Sequence, residues 1–214
     1  GSIEIDPTCA NYEVEFDYEG LHYVIINHNS VYLENHESHQ SISGDLVIPS
    51  TVTYQGVKYY VVAIGDYAFE GCVGLTSVTI PEGVTHIGGS AFSSCSSLTS
   101  IIIPNSVTKI GSFAFSGCID LPNLTIPSSV TTIGKYAFMA CNNLYDVYCY
   151  ATTPPTADQS SFANYNAKEL LNTINYAKSV FYNQKKSWED MQVRAMNMDY
   201  SWANSAKRYE QLYQ

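Results

Sequence analysis

From Ile64 onward the chain sets its apolar side chains at a fixed interval of 23 residues. Ile64, Ile87, Ile110 and Ile133 are each followed by Gly, and Phe69, Phe92, Phe115 and Phe138 each follow Ala. Cys72, Cys95, Cys118 and Cys141 keep the same interval, as do Leu75, Leu98, Leu121 and Leu144. A period of this length marks a solenoid, in which each coil covers the open apolar face of its neighbour. Within a coil, Leu75, Val78 and Ile80 follow L-x-x-V-x-I, ending in the alternation of a half-buried strand. Pro81, Pro104 and Pro127 lack the amide donor that would continue the ladder, so each strand is predicted to stop there. The Gly after each Ile serves either a turn with positive φ or a close approach between coils. The Phe rings are predicted to stack along the axis as the main apolar filler. Each Cys then acts as a small hydrophobe beside them.

The flanks follow other patterns. Residues 11–33 alternate around Asp17-Tyr18-Glu19-Gly20, which predicts a β-hairpin, with a third strand near Val31–Leu33. This is the expected N-terminal β cap, over 1–45, because an open terminal coil would leave apolar side chains and a strand edge in water. Between Val52 and Ile64 the first repeat carries nine extra residues, which a second hairpin turning at Gln55-Gly56 absorbs. After "CYATTPPTADQS" the period switches to a helical one. Ala167, Leu170, Leu171, Ile174, Ala177 and Phe181 make one amphipathic face; Trp188, Met191, Ala195 and Met196 suggest a second helix. Trp202, Ala203, Ala206, Tyr209 and Tyr213 suggest a third, capped by Asp199 or Ser201. The expected architecture is therefore mainly β: the cap, a solenoid over 46–155 and a C-terminal α-helical segment over 156–214.

With 45% hydrophobic residues in 214, the chain can bury a substantial core. No apolar run approaches the roughly 20 residues of a membrane span. The opening Gly-Ser reads as a cloning remnant, so a missing signal peptide decides nothing about secretion. The formal charge of −10 is uneven, since residues 1–57 hold nine acids and no Lys or Arg. Phosphate backbones would be repelled there, and no nucleic-acid partner is expected.

Four of the six cysteines occupy a repeat slot, and no CxxC or Cys/His cluster exists, so no structural zinc is expected. Side chains in one slot project in parallel, which keeps their Cβ atoms too far apart for a disulfide, and free buried thiols are expected. Cys9 and Cys149 fall outside the slot. His36 and His39, with Glu34 and Glu37, lie in the polar stretch "ENHESHQS" and are read as a solvated loop. His86, in the slot of Lys109 and Thr132, is expected to be exposed. No G-x-S-x-G, Walker or G-x-G-x-x-G motif occurs, and the repeat register accounts for the glycines of "IGGSAF". Asn123-Leu124-Thr125 matches a glycosylation sequon. No catalytic, cofactor-binding or metal-ligating residue is assigned, and no cofactor is expected.

What remains is a surface. Alternation turns Ser77, Thr79, Ser100, Ile102, Asn123, Thr125, Asp146 and Tyr148 to the open face of the strands, and these form the candidate binding face. Ile102 and Tyr148 are its best anchors, since large apolar and aromatic groups hold interfaces better than Ser or Thr. Four to five coils span only about 20 Å, so binding through this face alone is expected to be weak or multivalent.

The phrase "AFSSCSSLTSIIIPNSVTKIGSFAFSGC" resembles the BspA-like leucine-rich repeats of bacterial surface proteins, over about 46–155. The resemblance implies a right-handed parallel solenoid, secreted or held at the cell surface, that binds a host or matrix protein or another cell-surface protein. The tail, about 168–214, resembles the terminal helices of bacterial glycogen and starch synthases. It matches their D-[FY]-S-W-x-x-S-A-x-x-Y motif at Asp199, Tyr200, Ser201, Trp202, Ser205, Ala206 and Tyr209. It brings no active site, because that family's catalytic regions lie upstream of the motif and are absent. The resemblance implies a packing element that caps the last coil or docks as a small helical appendage. It also opens an alternative: an intracellular accessory of glycogen or starch metabolism, or a fusion carrying a non-functional glycosyltransferase tail.

Overall fold

A computed structural model describes residues 14–34, 39, 41–149, 155–157 and 160–161, and the backbone of 193–194. The N-terminal cap is a meander of β1 (Glu15–Tyr18), β2 (Leu21–Asn27) and β3 (Ser30–Leu33). Glu19 and Gly20 at its first turn both have positive φ, which matches the twist of the flanking strands. Gln55 and Gly56 repeat this geometry between β5 (Thr51–Tyr54) and β6 (Val57–Ile64), where the second hairpin is expected.

The repeats build two parallel ladders. One carries β4 (Ser43–Val47), β7 (Gly74–Thr79), β9 (Ser100–Ile102), β11 (Asn123–Ile126) and β13 (Asp146–Cys149). The other continues from β3 and β6 through β8 (His86–Ile87), β10 (Lys109–Ile110), β12 (Thr132–Ile133) and β14 (Thr156–Ala157). The first ladder is interrupted between β9 and β11. Proline is the reason: Thr99 N–H donates to Thr76 O at 2.9 Å, but Pro122 takes the same slot one coil on and has no N–H to donate. Pairing resumes with Tyr145 N–H on Pro122 O at 2.9 Å.

Between the ladders each coil turns through its Ala-Phe pair. Phe69, Phe92, Phe115 and Phe138 are fully buried, with successive ring centroids 5.2, 5.4 and 5.4 Å apart. The thiols of Cys95, Cys118 and Cys141 donate to the carbonyls of Phe69, Phe92 and Phe115, and Cys72, Cys95, Cys118 and Cys141 are free thiols. The glycines after the Ile column serve close approach. A Cβ on Gly88 would lie 2.5 Å from the carbonyl carbon of Gly65, and one on Gly111 would meet Gly88 in the same way. Phe138 N–H donates to Ser161 O, as Phe115 does to Ala137 O, so the pattern runs into a further coil.

The reading of His39 as part of a solvated loop is overturned. Its side chain is 1% exposed and stacks on Phe69 at 5.3 Å, and its carbonyl accepts the Cys72 thiol as Phe69 accepts Cys95. His39 therefore holds the Phe slot of a coil whose Ile slot is Leu33, paired with Ile64. Its imidazole fits because both nitrogens are engaged: Nδ1 donates to Ala68 O at 2.8 Å and Nε2 accepts the His22 N–H at 2.9 Å. His36 and Glu37 lie outside the described residues, and Glu34 is half-buried.

At the far end, β15 (Val193–Arg194) pairs antiparallel with β13, Tyr148 opposite Arg194 and Cys149 opposite Val193. Helical spacing is expected there. The free edge of β13 carries N–H and C=O groups that an extended segment satisfies and a helix cannot. The other helices expected in the tail lie outside the described residues.

Candidate functional site

The face made by β4, β7, β9, β11 and β13 presents two outward columns. Asp45, Ser77 and Ser100 are in register, and Asn123 stands opposite Asp146; these form a polar column. Val47, Thr79 and Ile102 are in register, and Thr125 stands opposite Tyr148, forming a more apolar one. The structure thus brings all eight candidate residues onto one side. Ser100, Ile102, Asn123 and Thr125 are exposed; Ser77, Thr79, Asp146 and Tyr148 are half-buried. Sequence reasoning missed Asp45 and Val47, the latter 69% exposed against 59% for Ile102. Their signal was available, because "GDLVIP" at 44–49 is a worn copy of "TSVTIP" at 76–81. The Asp45 carboxylate accepts the Ser77 hydroxyl at 2.6 Å and the Thr76 hydroxyl at 3.1 Å, and these bonds hold its pKa below the ordinary value.

Nothing in this geometry assembles a reaction centre among the described residues. Burial holds the Cys118 thiol well above its ordinary pKa and pushes Cys141 up to about 12. Both stay protonated and serve as donors to backbone carbonyls. His86 is exposed, as expected. One group of possible metal donors converges on the cap, where atoms of Glu15, His22 and Glu34 lie within 4.8 Å of one another. His22 is already engaged there by Asp17 at 2.8 Å and Glu15 at 3.4 Å, polar contacts that tie β1 to β2. Among the described residues no helix is long and apolar enough to cross a membrane.

The repeat geometry has counterparts. The family model for the BspA type leucine rich repeat region matches residues 62–192 in six copies. The chain belongs to this BspA-type leucine-rich repeat family. The BspA-type solenoid is similar to a solved leucine-rich repeat protein from Bacteroides capillosus, at 28% identity and a TM-score of 0.57, covering 64% of this chain and 99% of that one. It is also similar to a leucine rich cell surface protein from Faecalibacterium prausnitzii, at 26% identity and a TM-score of 0.50, covering 71% of this chain and 44% of that one. A different likeness covers 53 residues, 55% identical to glycogen synthase of Lachnospira eligens. It spans 25% of this chain and only 11% of that enzyme, in keeping with a short synthase-like tail. Family and fold point to a non-enzymatic repeat module.

Proposed function

We propose that the chain is a noncatalytic interaction or adhesion module of a bacterial surface or secreted protein, binding a host or matrix protein or another cell-surface protein through the β4-β7-β9-β11-β13 face. The observation that carries this reading is the pair of large exposed apolar groups, Val47 and Ile102, held two coils apart on a rigid ladder. A buried apolar anchor ringed by small polar groups is the usual composition of an interface centre. The likeness to a cell-surface leucine rich protein supports the location.

A screen of the chain against immobilised matrix and cell-surface proteins tests it. A ligand is expected whose binding weakens about tenfold on Ile102→Ala, with smaller losses on Val47→Ala and Tyr148→Ala. A ligand indifferent to all three substitutions would move the site off this face. The alternative, an accessory of glycogen metabolism, rests on the 53-residue likeness to glycogen synthase. Co-sedimentation with glycogen that depends on the tail would favour it, and export of the natural gene product would count against it.

A further inference from the structure

The second ladder carries a feature that the interaction face does not explain. A trough of about 1120 Å³ runs along its outer side, from Tyr32 and Glu34 on the cap, past Asp66 and Tyr67, to Thr132 and Gly134. It crosses five strands, so it is about 19 Å long, and its volume is slightly above the usual range for small-ligand sites. Gly65, Gly88, Gly111 and Gly134 run along it, each without the Cβ that would collide with the backbone of the preceding coil.

The glycine column offers no pairing sites. The N–H groups of Gly65, Gly88, Gly111 and Gly134 donate to Leu33, Ile64, Ile87 and Ile110, so a peptide cannot add as a strand. Among the lining side chains, Glu34, Asp66 and His86 offer acceptors. Thr85 Oγ1 donates to Val62 O and sits 2.8 Å from His86 Nδ1. With its hydrogen committed, that hydroxyl receives the Nδ1–H, which leaves the His86 Nε2 lone pair as an acceptor. Partial desolvation, helped by Lys109, lowers the His86 pKa and favours the neutral ring. The Asp66 carboxylate accepts the Gly89 N–H at 2.6 Å, and Glu34 adds a second carboxylate. Polyanions are repelled by this pair, and a polycation would meet Lys109 partway along.

The wall also carries an exposed aromatic ring. Tyr67 is 49% exposed on a left-handed backbone with φ 61°, a conformation that Gly or Asn adopts with less strain. Phe113 and Tyr136 occupy the same slot in later coils, also left-handed, with rings 5.0 Å apart. Ser90 takes the same left-handed backbone, φ 51°, in the coil between, so the conformation belongs to the turn and the ring is what the Tyr67 coil adds.

We propose that this trough is a second binding site, for a neutral linear oligosaccharide. Hydroxyls donate to the Asp66, Glu34 and His86 acceptors, and the apolar faces of the sugar rings stack on Tyr67.

The test is calorimetric titration of the whole chain with maltohexaose, cellohexaose and xylohexaose. At least one is expected to bind in the micromolar to millimolar range. Tyr67→Asn, which suits the left-handed backbone, is expected to weaken binding about tenfold while the melting temperature stays level or rises. Ser112→Trp, an exposed lining position, should fill the trough and abolish binding. Ile102→Ala on the other face should leave oligosaccharide binding untouched, so failure of this site and failure of the protein-binding face are read separately. Absence of binding by all three sugars at millimolar concentration, binding that survives Ser112→Trp, or Tyr67-dependent capture of a lysine-rich decapeptide in place of the sugars would overturn the proposal.

Discussion

Phe115 and His39 occupy the same slot in two coils, and they hold it by different physics. Phe115 has a parallel ring on each side, at 5.4 Å from Phe92 and 5.4 Å from Phe138, and needs only dispersion and the exclusion of water. His39 stacks on Phe69, and its two nitrogens bond the backbones of β2 and the Ala68 turn. The middle of the stack is interchangeable apolar filler. Its N-terminal end is a polar joint that fastens the hairpin cap to the first full coil.

Four substitutions would break or sharpen this contrast. The largest effect is expected from Gly111→Ala, whose Cβ would collide with the Gly88 carbonyl carbon at 2.5 Å, backbone against backbone. A loss of about 4 kcal/mol or more is expected, seen as an absent or strongly depressed thermal transition. Phe115→Ala should cost about 3–5 kcal/mol by denaturant unfolding, because neighbouring coils hold the void open. If it costs less than 1 kcal/mol, the ring column is not the core.

His39→Phe restores the repeat residue and keeps the stack, but leaves the His22 N–H and the Ala68 carbonyl unbonded inside the protein. A loss of about 1–3 kcal/mol is expected, together with faster hydrogen exchange confined to β1–β3. A gain in stability would show that apolar filler alone suffices at both ends of the stack.

The smallest effect concerns His86, whose folded pKa lies below its ordinary value of 6.5. The unfolded chain therefore binds this proton more readily than the folded one. Its contribution is complete above the unfolded pKa and is lost as pH falls through that value towards the folded one. His86→Gln should flatten the stability profile slightly across this window, while His39, in its own joint, is left unchanged.

Much of the fold was legible from one interval. The Ile, Phe, Cys and Leu columns and both hairpins are where periodicity and turn residues predict them. Where residue types stop recurring, the signal fades. His39 precedes Phe69 by 30 positions, not 23, and shares no apolarity with it, so a sequence ruler passes it by. Val47 and Asp45 were hidden in a worn copy of the motif. Pro122 was visible, but its effect on the ladder required knowing that Thr99 O waits for a donor in that slot.

The sequence by itself determined the solenoid, because each coil repeats the same apolar set and such sets are satisfied only by stacking on one another. The tertiary structure alone decided that a trough runs along the second ladder. That depends on where a missing Cβ lets neighbouring backbones approach, and on how a left-handed residue aims its ring. A pattern of residue types records neither.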